Sequence, residues 1–325
     1  MYTICACRAL SCEFIPKNNF LRCTDHAVEI TCMSTHPKTD QPPATRRGGL
    51  PPMVLVMLGS LLLVALLVAA LGRLRSQPAH HIPPLLLYCA AGVKAPIDEI
   101  ARRYTDEYGI PIDIQYGGSG TLLGQIEINP LGDLYLAADD SYIPLGRDKG
   151  LLAESIPLAT QRPVIAVAQG NPRNIQSLDD LLDPSIAFGL ANPEAAAIGR
   201  ITRETLRPLG KWEAIERACK VFKPTVTDLV TDIKVGSVDA AILWDCNAFQ
   251  AAGVEAIEVP EFADASRAIE IALLTASRTP QVALHFARYL AAEDRGGESF
   301  TKFGYGRIPR DPWADRPLPS REASP

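Results

Sequence analysis

The chain is poor in the groups that do most enzyme and metal chemistry. Of 325 residues only five are histidine and eight cysteine, and basic residues do not outnumber acidic ones (32 against 37, net charge −5). Without a basic excess there is no electrostatic footprint for nucleic acid or an anionic membrane surface, and no nucleic-acid partner is expected. An anionic ligand must then be held by local donors. Cys5, Cys7, Cys12, Cys23 and Cys32 crowd the start of the chain without one C-x-x-C pair. Cys89, Cys219 and Cys246 are the rest, an odd count that allows at most one disulfide and no framework of them. Past His80 and His81 the one histidine is His285, read as a packed or surface residue of an amphipathic helix. Asp139 and Asp140 read as helix-capping groups, and Asp245 is the remaining acid candidate. A site built for acid–base or metal chemistry needs more than this, so we expect no enzyme and no directly coordinated metal. No P-loop and no internal repeat occur.

What the chain does have, first, is a long apolar run. Residues 53–72, MVLVMLGSLLLVALLVAALG, contain no charge and no proline. About 20 such residues span a bilayer core as a helix, and a stretch apolar all round is not an amphipathic surface helix. It is expected to be a transmembrane or signal-anchor helix that places the C-terminal bulk outside the cytoplasm. Arg46 and Arg47 before it, with Arg73 and Arg75 after it, leave the charge comparison weak and cleavage or retention open. LLYC at 86–89 has Tyr88 where a lipobox wants a small residue. Residues 1–52 are expected to be a poorly ordered extension, with the natural start at Met33 or Met53. Residues 73–83 read as a polar, proline-bearing linker, and 311–325, DPWADRPLPSREASP, as a disordered tail.

From about residue 84 strand and helix patterns alternate. LLLYCAA (85–91) is a continuous apolar run of the kind buried on both faces. APIDEIARRYTDEYG (95–109) repeats apolar residues at helical spacing, with Pro96 in its first turn and Gly109 at its C-terminal cap. PIDIQY (111–116), DLYLAAD (133–139), PVIAVAQ (163–169), SIAFGLA (185–191), AAILWD (240–245) and AIEIALLTAS (268–277) read as strands. TLLGQIEI (121–128), YIPLGRDKG (142–150), SLDDLLD (177–183), IGRITRETLRPLG (198–210), TVTDLVTDIKVGS (225–237) and TPQVALHFARYLAAED (279–294) read as helices. The alternation predicts an α/β fold with largely parallel sheets. In such folds ligands bind at the carboxyl ends of strands, where helix N-termini offer unpaired N–H groups and partial positive charge. Three of those junctions are small and neutral: CAAGVKAP (89–96), YGGSGT (116–121) and ANPEAAAIG (191–199). Glycine and alanine expose backbone N–H groups there, and Ser119 adds a hydroxyl unless it only caps the helix that follows. This chemistry suits a compact tetrahedral oxyanion.

Residues 85–143 resemble the opening of the periplasmic molybdate-binding proteins of ABC importers. They share the order of strand, small turn, helix with Ile100, Ala101 and Tyr104, strand, GSG at 118–120, QIE at 125–127 and AD at 138–139. The likeness continues more loosely to KFGYGRIP (302–309). It implies an α/β, two-lobed type II periplasmic binding protein fold with a hinge and central cleft, preceded by one N-terminal transmembrane or signal helix. The binding domain would span 84–310, with lobe one about 84–160 and 275–310 and lobe two about 161–274. The family's ligand positions fall on Ala91, Gly92, Ser119, Ala197, Ile198, Val226 and Trp244. Family members carry serine where Gly92 stands and a tyrosine where Trp244 stands, whose only donor is an indole N–H. Thr121, Thr225 and Thr227 are candidates for a replacement hydroxyl. The resemblance implies a periplasmic or extracytoplasmic monomer, anchored to the inner membrane through residues 53–72 if these are retained. It would use no cofactor, capture molybdate or tungstate by hinge closure, and deliver it to an ABC permease driven by a separate ATPase. The alternative is a membrane-anchored sensing module of the same fold for sulfate, phosphate or a small organic anion.

Overall fold

The computed structural model describes residues 52–75, with side chains at Val54 and from Val56 to Val68, and residues 83–314. These fall in two units, divided between Gln77 and Pro78. The described part of the first is one helix, α1 (Pro52–Arg75). Its large apolar side chains from Val56 to Val68 are exposed, and the Ser60 hydroxyl is satisfied inside the helix by the Met57 carbonyl at 2.9 Å. Among the described residues no helix is long and apolar enough to cross a membrane, so the membrane-crossing expectation for 53–72 rests on the sequence. The expected extension (but for Pro52), residues 76–82 of the linker and 315–325 of the tail lie outside the described residues.

The second unit runs β1 (Leu85–Ala90), α2 (Lys94–Tyr108), β2 (Ile112–Gly117), α3 (Ser119–Ile128), β3 (Leu134–Ala137), α4 (Tyr142–Asp148) and β4 (Leu152–Gln161). It continues with β5 (Pro163–Ala168), β6 (Phe188–Ala191), α5 (Ala197–Leu206), α6 (Trp212–Ala218), β7 (Val221–Lys223), α7 (Val226–Lys234), β8 (Ala240–Trp244), α8 (Asp245–Gln250) and β9 (Val254–Ile257). It ends with β10 (Arg267–Leu274), α9 (Pro280–Ala291), α10 (Glu298–Lys302) and β11 (Gly306–Arg307). One sheet has the order β11-β4-β10-β3-β1-β2 and the other β7-β6-β8-β5-β9. As expected, the fold is α/β. The sheets are mixed, however, and not largely parallel. β1 pairs parallel with β2 and β3, and β6 with β7 and β8, while β10, β4, β5 and β9 run antiparallel to their neighbours. Apart from β11, which pairs antiparallel with β4 at the sheet edge, these antiparallel strands are the ones flanking the two points where the chain changes sheets, at 161–163 and 258–266.

That geometry moves one expected boundary. The return to the first sheet was expected near 275, but β10 already pairs with β3 and β4, so the return is complete at Arg267. The two crossings are tied to each other. Arg162, on the outward crossing, pairs with Glu258 on the return, and its backbone N–H donates to Asp245 Oδ1 at 3.2 Å. The tail is ordered further than expected. The Trp313 indole packs edge-on against His285 (5.1 Å between ring centroids) and Tyr289 (5.2 Å), and its N–H donates to the Tyr108 hydroxyl at 2.9 Å. Burying one indole and satisfying its polar end outweighs the local proline-rich polarity. His285 belongs to this buried aromatic group, where its Nδ1 meets the Tyr104 hydroxyl at 2.7 Å.

The helices form for legible reasons. α2 buries Pro96, Ile97, Ile100, Ala101 and Tyr104 on one face and ends on Gly109 at φ 70°, a left-handed position that glycine occupies without strain. α7 is capped by Thr225, whose Oγ1 accepts from the Asp228 N–H at 3.3 Å. SLDDLLD yields only a single tight turn at Asp179–Leu182, because Asp180 binds the N–H groups of Gln176 and Ser177 and closes the segment locally.

Candidate functional site

The carboxyl ends of β1, β2 and β3 in one sheet face the start of α5, the start of α7 and the end of β8 from the other. Between them lies a narrow cleft, about 260 Å³ when the open solvent at its mouth is counted. Its lining includes all seven positions expected from the sequence: Ala91, Gly92, Ser119, Ala197, Ile198, Val226 and Trp244. Ala90, Gly117, Gly118, Ala138, Ala196 and Thr225 complete it. Thr121 and Thr227 do not line it. No side chain of this lining carries a charge.

Helix starts converge here. Ser119 opens α3, Ala197 opens α5 and Val226 opens α7, each after a residue in extended conformation. The first N–H groups of a helix have no partner within it, and together with the helix dipole they favour an anion. Ser119 is fully buried. Its Oγ accepts from the Ala138 N–H at 3.1 Å, which leaves the hydroxyl proton for donation. Its carbonyl is separately held by the Tyr135 hydroxyl at 2.8 Å. Ser119 is therefore part of the first turn of α3 and not the cap of a helix starting at Thr121. Thr225 is less available than expected, since its Oγ1 donates to Asp228 Oδ2 at 2.6 Å.

Gly92 is held by contacts from both sheets. Its carbonyl accepts from Asn247 Nδ2 on α8 at 2.7 Å and from the Tyr305 hydroxyl at 2.8 Å. A side chain has no room there: a Cβ on Gly92 would lie 2.8 Å from Val226 Cγ1 and 3.0 Å from Asn247 Oδ1, itself buried without a partner. The serine expected at this position from the resemblance would thus force Val226 to shift. Gly92→Ser is expected to lower stability by about 1–3 kcal/mol, because valine cannot turn away cheaply. Adding Val226→Ala should recover most of that loss, and chemical denaturation of both variants checks it.

Other candidates are committed elsewhere. Lys94 pairs with Asp98 at 2.9 Å and lies over the Tyr116 ring. Asp245 accepts from the Cys246 N–H at 2.8 Å beside Arg162. Asp139 accepts from the Ser141 N–H at 2.7 Å in the turn before α4; the N-cap of α4 is Ser141 and no side chain caps that helix, so Asp139 does not fill the capping role expected for it. Its other oxygen is buried without a partner, and burial pushes its carboxyl up to about 6. A native carboxyl above its unfolded value binds more protons than the unfolded chain between about pH 4 and 6, so its contribution to stability falls across that window. Asp139→Asn keeps the Ser141 contact and is expected to gain up to about 3 kcal/mol at pH 7, with little gain at pH 4. Denaturant unfolding of both proteins at the two pH values reads this directly.

Fold and cleft together define a solute-binding protein, two mixed α/β sheets facing across a ligand-sized gap. The chain belongs to the bacterial extracellular solute-binding protein family, whose profile matches residues 85–306. It is 25% identical over 224 residues to the molybdate-binding protein ModA of Mycobacterium tuberculosis, covering 66% of this chain and 82% of that one. The periplasmic molybdate-binding protein of Azotobacter vinelandii superposes with TM-score 0.59 at 14% identity, covering 70% of this chain and 100% of the other. A periplasmic thiamin-binding protein superposes with TM-score 0.61 at 13% identity, covering 73% and 86%. The shared fold therefore serves different ligands, and the ligand must be argued from the cleft.

Proposed function

We infer that this chain is the extracytoplasmic solute-binding component of an ABC importer and that it captures a tetrahedral oxyanion, molybdate or tungstate. The observation that carries this reading is the lining itself: small residues and helix N-termini with no carboxylate, histidine, lysine or arginine. A cationic organic solute would find no counter-charge. A metal ion would find no ligand set, and among the described residues no group of three or more His, Cys, Asp or Glu is gathered to hold one. N–H and O–H donors without a carboxylate acceptor favour a fully deprotonated dianion over one that still carries a proton.

Capture follows from where the donors sit. Ser119 comes from one sheet, and Ala197, Ile198 and Val226 from the other, so a bridging ligand makes more contacts when the sheets are close and shifts the equilibrium toward that state. Closure also removes water and strengthens each donor. Delivery would go to a membrane permease served by a separate ATPase, with α1 as the export signal or anchor. Calorimetric titration with molybdate, tungstate, sulfate and phosphate tests this. Dissociation constants of about micromolar or tighter, near −8 kcal/mol, are expected for the first two alone. Heat from sulfate, phosphate or a small organic anion in their place would favour the sensing-module alternative, and no heat from any oxyanion would sink the oxyanion reading.

A further inference from the structure

The glycines of YGGSG have ordinary backbone conformations. Gly118 sits at φ −71°, ψ 144°, open to any residue, and Gly120 lies in the first turn of α3 without a positive φ. What both positions lack is space. A Cβ on Gly118 would stand 2.7 Å from the Pro224 carbonyl oxygen and closer still to that of Ala195. A Cβ on Gly120 would overlap the Glu194 carbonyl oxygen and stand 3.1 Å from the Tyr142 hydroxyl. Pro224 and Ala195 belong to the other sheet's loops, directly before α7 and α5. By contrast, a Cβ on Gly124, one turn further along α3, meets nothing within 4 Å.

Hydrogen bonds run through the same contact. The Gly120 N–H donates to the Ala195 carbonyl at 2.9 Å and the Thr121 N–H to the same oxygen at 3.3 Å. These are first-turn N–H groups with no acceptor inside their own helix. Ala195 is in turn held rigidly, its N–H and that of Ala196 both bonding the Asn192 carbonyl at 3.0 and 2.9 Å.

We propose that Gly118, Gly120 and the Ala195 carbonyl form a backbone clasp across the cleft that sets its closed spacing. The clasp brings the N-termini of α5 and α7 to Ser119, so the two glycines are positioning residues for capture. This rests on the solute-capture reading above. Any side chain at 118 or 120 would wedge the sheets apart at the point where Ser119 meets the donors of the other side.

The test uses the full chain and three variants, Gly118→Ala, Gly120→Ala and, as control, Gly124→Ala. Amide hydrogen exchange at residues 120 and 121, thermal melting and molybdate titration are measured on each. Gly118→Ala and Gly120→Ala are expected to exchange roughly tenfold faster or more at these amides and to bind molybdate roughly tenfold more weakly or worse, with the main melting transition retained. Gly124→Ala should match the wild type in exchange and affinity. Wild-type exchange and affinity in both alanine variants would overturn the clasp. If no form binds molybdate, the molybdate reading has failed, and the exchange comparison still decides the clasp by itself. If an alanine variant does not fold, wild-type exchange decides: slow exchange at both amides supports the clasp, and exchange as fast as an unprotected loop overturns it.

Discussion

Replacing Ala197 by proline is expected to weaken molybdate binding about ten- to a hundredfold while leaving the protein folded. Ala197 is the first residue of α5, and Ala196 before it sits at φ −123°, ψ 139°. Proline is well tolerated at a first helical position, and an extended residue is what proline requires ahead of it. The substitution therefore removes one N–H from the cleft and substitutes a ring carbon for it, without breaking a helical hydrogen bond. A hydrogen bond to an ionised group contributes about 1.5–3 kcal/mol, and 1.4 kcal/mol is a factor of ten in affinity. Calorimetry with molybdate and a thermal melt of the same sample give the two numbers needed. A stable variant that binds as the wild type does would mean that the α5 terminus is not a donor to the solute.

Ser119→Ala is expected to do two separable things. Affinity should fall about tenfold or more, since the cleft loses the hydroxyl whose proton is free to donate. Stability should fall by about 1–3 kcal/mol, because the Ala138 N–H, which bonds Ser119 Oγ at 3.1 Å, is left buried without an acceptor. The Tyr135 contact runs to the Ser119 carbonyl and survives. Denaturant unfolding measures the second effect and titration of the still-folded variant the first. Lost stability with unchanged affinity would assign the hydroxyl a structural role alone.

The strands and helices that were legible in the sequence are those with strong local signals. β1 shows as a run of apolar residues, α2 as helical spacing between Pro96 and Gly109, and α7 as a threonine-capped pattern. β4 is not legible locally, because LAESIPLATQ alternates weakly and carries Pro157, and its place comes from pairing with β10, more than a hundred residues away. α6, WEAIERA, is too short to show a helical period and is fixed by the burial of Trp212 and Ile215. The mixed strand directions were unreadable for the same reason: direction is a relation between distant segments, while apolar periodicity reports only burial.

The site divides along the same line. Small residues at strand-to-helix junctions mark exposed N–H groups, a local property that singles out 89–96, 116–121 and 191–199, while the choice of residues 91, 92, 119, 197, 198, 226 and 244 comes from the family resemblance. Which of those N–H groups remain for a solute was decided only by the fold. Gly120 and Thr121 bond Ala195, Thr225 bonds Asp228, and Gly92 is glycine because Val226 and Asn247 occupy the space its side chain would need. By itself the sequence determined the alternating architecture, the neutral donor-rich junctions and the scarcity of acid–base and metal-binding groups, because each depends on residue type and nearest neighbours. The tertiary structure alone decided how closely the two sheets approach, since steric exclusion and hydrogen-bond partnership act between atoms that are close in space and far apart along the chain.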